Sequence, residues 1–533
     1  MSSTATRTKA PSAPASASRR SSLRAPVVWA VAIVVFALAA GLRLVHIGSS
    51  ADVFTDEVLY RDLGHSTAVL GYPNESGHPF FLHPPGFFYL LAGWEFLSGH
   101  QGDPVASVYD MRILNALLAG ATAAALAVLV ARVSRSWPAA AAAGALFALD
   151  AFCIRQNGRV LLETSMMLPV VAGFAVLLPL FAHPPPRRAG LRAASAGLLF
   201  GLAILTKDWA VFVTIVPVLF ATAIGRQPPR RLLLCAVGLS AVPYAVYVSV
   251  VALSGQLGWF LEVKGQGIQR LLGAVQATGF NSAESPSVVS RLIEEAPTFA
   301  GAYLLLVAGT VALVVLLFRG NPAERMVGLW QLSGVCALLY AVFFGTLEEH
   351  YLYLLSVPSV AAVAVAVRLV LRTRKGNSAR ICHSIAVVGL AVVLGLSSTS
   401  YFVGRTEPDD GYARLRAYVT KHIPAGSAIT VVDGTPSLSP KRDGRTSVLE
   451  DRYRIGRWVT PQARAAARVQ YVIVPWKEVR EGYAFLTVGR TQRLVAQGQL
   501  VFSFNGRTYG TLAVYRLPLT DPSAAAERLP QRP

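Results

Sequence analysis

ADVFTDEVLYRDLGHSTAVLGYPNESGHPFFLHPP, residues 51–85, lies between two apolar runs, and its reading decides what kind of protein this is. The run before it starts near Pro26 and ends on Arg43 and His46; the run after it starts near Val105. Each is long enough to cross a bilayer, which takes roughly 20 apolar residues. The stretch between them is therefore a loop at a membrane surface. Its adjacent acids, Asp56-Glu57, open a segment with helical apolar spacing at Val58, Leu59, Leu63, Ala68 and Val69. A carboxylate at such a surface can deprotonate an acceptor hydroxyl or hold a cation. The plain alternative is a helix N-terminus, where the dipole favours acids. His65, His78 and His83 make a metal-ligand inventory of irregular spacing, and loop histidines more often bond to backbone or water. His83-Pro84-Pro85 then forms a rigid turn into an apolar helix too short to span. An interfacial helix is expected, with Phe87, Phe88, Tyr89 and Trp94 at headgroup level.

Eleven such apolar runs recur outward from this loop, beginning near Pro26, Val105, Trp137, Ser165, Leu191, Trp209, Leu232, Thr298, Met326, Tyr351 and Ile381. A net charge of +20 on 533 residues would suggest a nucleic-acid partner in a soluble protein. With 53% hydrophobic and 15% charged residues, against about 25% charged in globular domains, the composition excludes that partner and identifies a multi-pass membrane protein. The four cysteines, Cys153, Cys235, Cys336 and Cys382, all lie in or beside apolar segments, so no disulfide framework or thiolate metal site is expected.

The first run lacks a small-residue cleavage site and reads as a signal-anchor. With a cytoplasmic N-terminus, the inside segments collect 20 basic residues and one acid, Glu324. An odd number of spans then puts the C-terminal region outside the cytoplasm. The expected division is a disordered tail over 1–25 and a transmembrane domain over 26–404 with outer loops 47–104 and 254–297. An α/β domain over 405–518 and a disordered tail over 519–533 complete it. Within the α/β domain, β-rich runs fall at 428–432, 471–474, 500–504 and 511–515, and helical spacing at 410–422. Many secondary transporters are built from duplicated halves, and no internal repeat is evident here.

Basic residues on the outer side break the positive-inside rule and draw attention for that reason. Arg155 and Arg159 follow the third span, Glu163 opens the fourth, and Lys207 lies between the fifth and sixth. Clustered cations there suit a lipid phosphate, neutralising its oxygens as a leaving group. The alternative is that each residue snorkels or pairs with a neighbour, Arg159 with Glu163 at i,i+4 and Lys207 with Asp208 or another loop. The 254–297 loop, with Glu262 and Arg270, is long enough for a lid or an acceptor groove. Glu348-Glu349-His350-Tyr351 joins the ninth and tenth spans and offers a metal ligand, an acid/base pair or an interfacial ion network.

In this order the pieces resemble the GT-C glycosyltransferases, in particular protein O-mannosyltransferases and lipid A aminoarabinose transferases. The matching features are Asp56-Glu57, Pro84-Pro85, Arg112, Arg159 with Glu163, GLAILTK at 201–207, the 259–270 loop, and His350-Tyr351-Leu352-Tyr353 leading to Pro358. The resemblance covers residues 26–518. It implies transfer of a sugar from a polyprenyl-phosphate carrier to a lipid, glycan or protein acceptor on the outer face, with inversion. It also implies Asp56 as general base, Glu57 as its support, Lys207, Arg159 and Arg155 on the donor phosphate, and Glu163 on Arg159 or a sugar hydroxyl. Glu262, Arg270 and Tyr351 would belong to an acceptor site or lid. No cofactor is required, although His83 and His350 admit a divalent metal. Two departures, His83-Pro84 where the aminoarabinose branch often has an acid-plus-base pair and Glu163 where mannosyltransferases often place Asp, leave sugar and metal open. Competing classes are a flippase of lipid-linked sugars and a non-catalytic assembly or sensor protein.

Overall fold

The computed structural model describes residues 25–99, 102–182, 186–224, 228–275, 287–344, 350–432, 452–482 and 484–518. The chain opens with α1 (Ala25–Leu44), α2 (Thr55–Leu70), a two-strand hairpin of β1 (Asn74–Glu75) and β2 (His78–Pro79), and α3 (Gly86–Ser98). A bundle follows: α4 (Pro104–Ser134), α5 (Trp137–Leu149), α6 (Ala151–Asn157), α7 (Leu162–Leu177), α8 (Ala189–Thr206), α9 (Ala210–Ile224), α10 (Arg230–Ser240) and α11 (Val242–Leu253). Surface helix α12 (Leu257–Leu271) precedes α13 (Val288–Arg319), α14 (Pro322–Phe343), α15 (Tyr351–Thr373) and α16 (Gly376–Thr406).

Among the described residues nine helical segments are long and apolar enough to cross a membrane. The pair α5–α6, bent by 62°, makes a tenth, and α9 is a shorter apolar helix at the position expected for the sixth span. The bend has a local cause: the Asp150 carboxylate accepts from Cys153 N–H at 2.7 Å and so starts a new helix where α5 ends. Helix starts follow sequence signals: Asp103 caps α4 ahead of Pro104, and Asn321 with Glu324 forms a capping box ahead of Pro322. Small residues let helices close up. A Cβ on Gly144 of α5 would stand 2.4 Å from Val35 of α1.

Buried polar residues knit the bundle together. Fully buried Arg43 donates to Asn157 Oδ1 at 3.0 Å and to the carbonyls of Ala39, Phe147 and Ala148. Asn157 passes the network on to Thr164 and Tyr353, tying α1, α6, α7 and α15 together.

The expected α/β domain is present. It comprises α17 (Gly411–His422), β3 (Ala428–Val431), β4 (Arg454–Gly456), α18 (Pro461–Ala467), β5 (Val469–Pro475), α19 (Trp476–Arg480), α20 (Val488–Val495), β6 (Gln499–Gly506) and β7 (Gly510–Arg516). The sheet order is β4-β3-β5-β7-β6, parallel through β4, β3 and β5 and antiparallel from β5 to β7 and β6. One sheet face packs on α18–α20; the other shares a core with α2, α3 and the start of α4, through residues such as Tyr60, Phe88, Met111, Ile473 and Tyr509. The loop between the first two spans is thus clamped between bundle and domain. Phe87 and Phe88, expected at headgroup level, are fully buried in this shared core. The exposed apolar residues of α3 are Tyr89, Leu90, Phe96 and Leu97, because α2, α4, α7 and α8 cover the other face.

Candidate active site

Glu57 and Arg112 form the anchor of the site. Both side chains are fully buried and meet in a bidentate pair, Nε–Oε1 2.8 Å and Nη2–Oε2 2.7 Å. Glu57 also accepts the N–H groups of Val160 at 2.8 Å and Phe54 at 2.9 Å. Arg112 donates in addition to the carbonyls of Ile47, Ala51 and Asp52. Although burial opposes its charge, the Arg112 guanidinium and these donors hold the Glu57 carboxyl below the usual carboxylate range. With every lone-pair direction in use, Glu57 is a positioning residue that pins the first turn of α2 to α4 and the α6–α7 connection.

Asp56, next along the same turn, is half-buried. Tyr60, one turn on and on the same helix face, brings its hydroxyl to 3.4 Å from His83 Nε2. Buried Glu478 of α19 has its carboxyl pushed up to about 8 by burial and Glu481, with Asp56 adding to the rise. The turn that carries Asp56 adjoins two charged groups of side chains, through Tyr60–His83 and through Glu57–Val160.

The first group surrounds Lys207 in the α8–α9 turn. Its ammonium pairs with Glu163 in the first turn of α7, and both are almost fully buried. His350, preceding α15, reaches the same carboxylate at 3.6 Å. Burial and then the charge of Lys207 push the His83 imidazole well below its ordinary value, so it is neutral at pH 7. Lys264 of α12 joins through Asp208, at 2.8 Å, and Asp208 also accepts from Tyr244 at 3.0 Å. The α3 helix abuts this turn so closely that a Cβ on Gly86 would stand 2.8 Å from the Leu205 carbonyl.

The second group lies toward the domain. Arg159 donates to Thr508 Oγ1 at 2.9 Å and stacks over Phe54, while Arg155 pairs with Glu295 at 3.5 Å. Asp409 accepts from Thr508 Oγ1 at 2.8 Å, and Tyr509 donates to the Val53 carbonyl at 2.5 Å. The β6–β7 turn of the domain therefore fastens the loop that carries Asp56.

Several expected pairings resolve differently. Glu163 takes Lys207 as its ion partner, where the sequence suggested Arg159 through i,i+4 spacing; Arg159 lies in the non-helical connection between α6 and α7. Lys207 does not pair with adjacent Asp208, which is held by Lys264. Of the metal candidates, His83 and His350 both face the Glu163–Lys207 pair. Among the described residues no three His, Cys, Asp or Glu side chains converge on a common metal position. Glu348 and Glu349 lie outside the described residues. In the 254–297 loop, Glu262 is exposed on α12 and Arg270 ends that helix. Tyr351 stacks on Trp209 with ring centroids 4.5 Å apart. Tyr60, Asp208 and Lys264 belong to the site without having been singled out for it. Lys264 carried a usable signal, as another cation on the outer side.

Comparison with known proteins follows the same lines. The model of the family described as dolichyl-phosphate-mannose-protein mannosyltransferase matches residues 83–228, which include His83, Arg155, Arg159, Glu163 and Lys207. A polyprenol-phosphate-mannose–protein mannosyltransferase of Mycolicibacterium smegmatis is 27% identical over 269 residues, 42% of this chain. The chain spans about half, 49%, of the length of that curated relative. The crystal structure of ArnT from Cupriavidus metallidurans bound to undecaprenyl phosphate superposes with a TM-score of 0.54 at 14% identity, covering 92% of this chain and 97% of that one. The Archaeoglobus fulgidus oligosaccharyltransferase in its apo form gives 0.56 at 13% identity, covering 93% of this chain and 75% of that one. At these identities the likeness establishes a shared fold, the GT-C architecture of a helical membrane domain with an appended sheet domain.

Proposed function

We propose that this protein is a membrane glycosyltransferase that moves a sugar from a polyprenyl-phosphate carrier to a hydroxyl acceptor on a lipid, glycan or protein. Mannose, a hexose, is the first candidate, because the matching family and the mycobacterial relative are both described as mannosyltransferases. The face bearing the α/β domain is the extracytoplasmic one, since the basic clusters such as Arg187, Arg188, Arg230 and Arg231 lie at the other helix ends.

What supports this reading is the turn that carries Asp56: the buried Glu57–Arg112 pair pins it, Glu57 ties it to Val160 beside Arg159, and Tyr60 one turn on reaches His83. Lys207 and Lys264 neutralise the donor phosphate, and Lys207 keeps Glu163 as a fixed counter-ion that orients its remaining N–H donors. Asp56 takes the proton of the acceptor hydroxyl as its oxygen attacks the anomeric carbon. The bond from that carbon to the phosphate oxygen breaks, the electron pair leaves with the phosphate, and the anomeric centre inverts. Neutral His83 and Tyr60 serve as hydrogen-bond partners in this cleft and add no charge to it.

The test is a screen of radiolabelled polyprenyl-phosphate sugars with purified full-length protein in liposomes. Transfer from the mannosyl donor is expected. Transfer from a pentosyl donor alone would change the sugar, and labelled carrier that crosses the bilayer without transfer would replace the enzyme with a flippase.

A further inference from the structure

A cavity of about 350 Å³ lies at the junction of α6, α13 and α16 with the α/β domain, apart from the Lys207 group: Lys207, Glu163, His83 and His350 are not among its lining residues. Its wall carries six cations, Arg155, Arg159, Arg405, Lys477, Arg480 and Arg507, against three acids, Glu294, Glu295 and Asp409. Several of those charges are already committed. Glu295 is shared by Arg155 at 3.5 Å, Arg291 at 2.9 Å and Lys477 at 3.9 Å, whereas Asp409 accepts from neutral donors of Thr508 and Asp52 and keeps its charge. Arg405 and Arg507 donate to neutral oxygens: Arg405 to Ser50 Oγ and the Arg43 carbonyl, Arg507 to the carbonyls of Ser50 and Gly404. Arg405 is 8% exposed. Two guanidinium charges brought to one cavity and held by uncharged acceptors leave a local excess of positive charge in a poorly hydrated place.

The surroundings point to a lipid. The floor of the cavity is apolar, formed by Ala151, Ile154, Phe299 and Tyr401 at the domain-side ends of spanning helices. The helix that lines the cavity with Ser400, Tyr401, Gly404 and Arg405, α16, exposes Ile385, Val388, Val392, Leu396 and Phe402 elsewhere on its surface, an apolar surface of the kind acyl chains cover. Cations above apolar residues at the end of such a helix match the headgroup level of a bilayer.

We propose that this junction cavity binds the phosphate headgroup of an anionic membrane lipid, with Arg405 and Arg507 as inner ligands, Arg480 at the rim and the acyl chains along α16. The bound lipid neutralises the arginines and bridges bundle and domain. This inference does not depend on glycosyl transfer and is tested without it.

The experiment is native mass spectrometry of the purified full chain titrated with equal concentrations of phosphatidylglycerol or phosphatidylcholine, repeated with inorganic phosphate as competitor. Phosphatidylglycerol is expected to be retained roughly tenfold better, the range typical of a few charge-assisted hydrogen bonds. Arg480→Glu, at the exposed rim, and Arg405→Gln should each cut that preference severalfold, while Arg490→Glu, exposed on the domain outside the cavity, should leave it intact. Thermal unfolding confirms that each variant is folded, and Arg480→Glu carries the test if Arg405→Gln is not. Equal retention of the two lipids by the wild type, a preference undiminished in folded Arg480→Glu, or an equal loss in Arg490→Glu would overturn the proposal. Displacement by inorganic phosphate at the same concentration as the lipid would overturn the lipid as ligand in favour of free phosphate.

Discussion

Truncating Glu57 to alanine would leave the Arg112 guanidinium fully buried with only the carbonyls of Ile47, Ala51 and Asp52 as acceptors. Two charge-assisted hydrogen bonds are lost together with the anchors to Phe54 and Val160 N–H, at 2.9 and 2.8 Å. Breaking a buried pair from one side costs about 3–5 kcal/mol. With about 2.1 cal/mol/K of unfolding entropy per residue, each kcal/mol lowers Tm by about 1 °C in a chain of this length, so the loss should be about 3–5 °C. Because the same bonds fix the first turn of α2, Asp56 is released as well, and transfer should fall by roughly two orders of magnitude, as for a displaced catalytic group. Thermal unfolding by intrinsic fluorescence and initial transfer rates on one preparation read the two effects. The companion variant Glu57→Leu/Arg112→Leu replaces the pair with apolar volume and should recover most of the Tm, since it removes both buried charges. It should not recover transfer, because the backbone anchors remain missing. A Glu57→Ala protein with Tm lowered by less than about 2 °C and transfer within about twofold of wild type would refute the reasoning, since a saturated buried pair cannot be removed that cheaply.

Further expectations follow from the same geometry. Glu478 and Asp52 are both pushed up to about 8, Glu478 by burial, Glu481 and Asp56, and Asp52 by burial and Asp409. A carboxyl raised in the folded state contributes stability that is full below its unfolded value, near 4, and is lost as pH rises toward 8. Tm should therefore decline between pH 5 and pH 8.5, at a ceiling of about 1.4 kcal/mol per unit of displacement for each group, and Glu478→Gln should flatten the decline; an unchanged slope would contradict the burial argument. Gly86→Val should force α3 away from the Leu205 carbonyl and cost about 1–3 kcal/mol, with Gly86→Ala costing less; equal transfer by all three would show that α3 does not shape the Lys207 turn. Arg490→Cys, made in a variant whose four native cysteines are replaced by serine, should react with a membrane-impermeant maleimide from outside intact cells. Labelling only after lysis would reverse the orientation.

How far the sequence carried is clearest residue by residue. The spans, the two-part architecture and the four principal strands were legible because hydrophobic length and alternation are local properties. Asp56, Glu163 and Lys207 stood out because charge at a membrane face is conspicuous against an apolar background. Their partnerships were not legible. Glu57 meets Arg112 across 55 residues, and Arg159 meets Thr508 across 349, distances at which spacing carries no information. Local rules even misled: i,i+4 spacing suggested Arg159 with Glu163, yet Arg159 lies in the non-helical connection between α6 and α7. Phe87 and Phe88 read as interfacial because the packing of α3 on α2, α4, α7 and α8 leaves no local pattern, and β4 is too short, at three residues, to leave one.

The central claim is that Asp56 performs base chemistry on a polyprenyl-phosphate sugar in a cleft built by Glu57–Arg112 and Lys207–Glu163. Its most direct test is the initial rate of mannosyl transfer from polyprenyl-phosphate mannose, measured for wild type and Asp56→Asn in the same liposomes, with Tm as the folding control. Rapid transfer by the wild type and a loss of about three orders of magnitude in a variant with unchanged Tm is the predicted result. Transfer by Asp56→Asn within about tenfold of wild type, less than general-base loss allows, would contradict it.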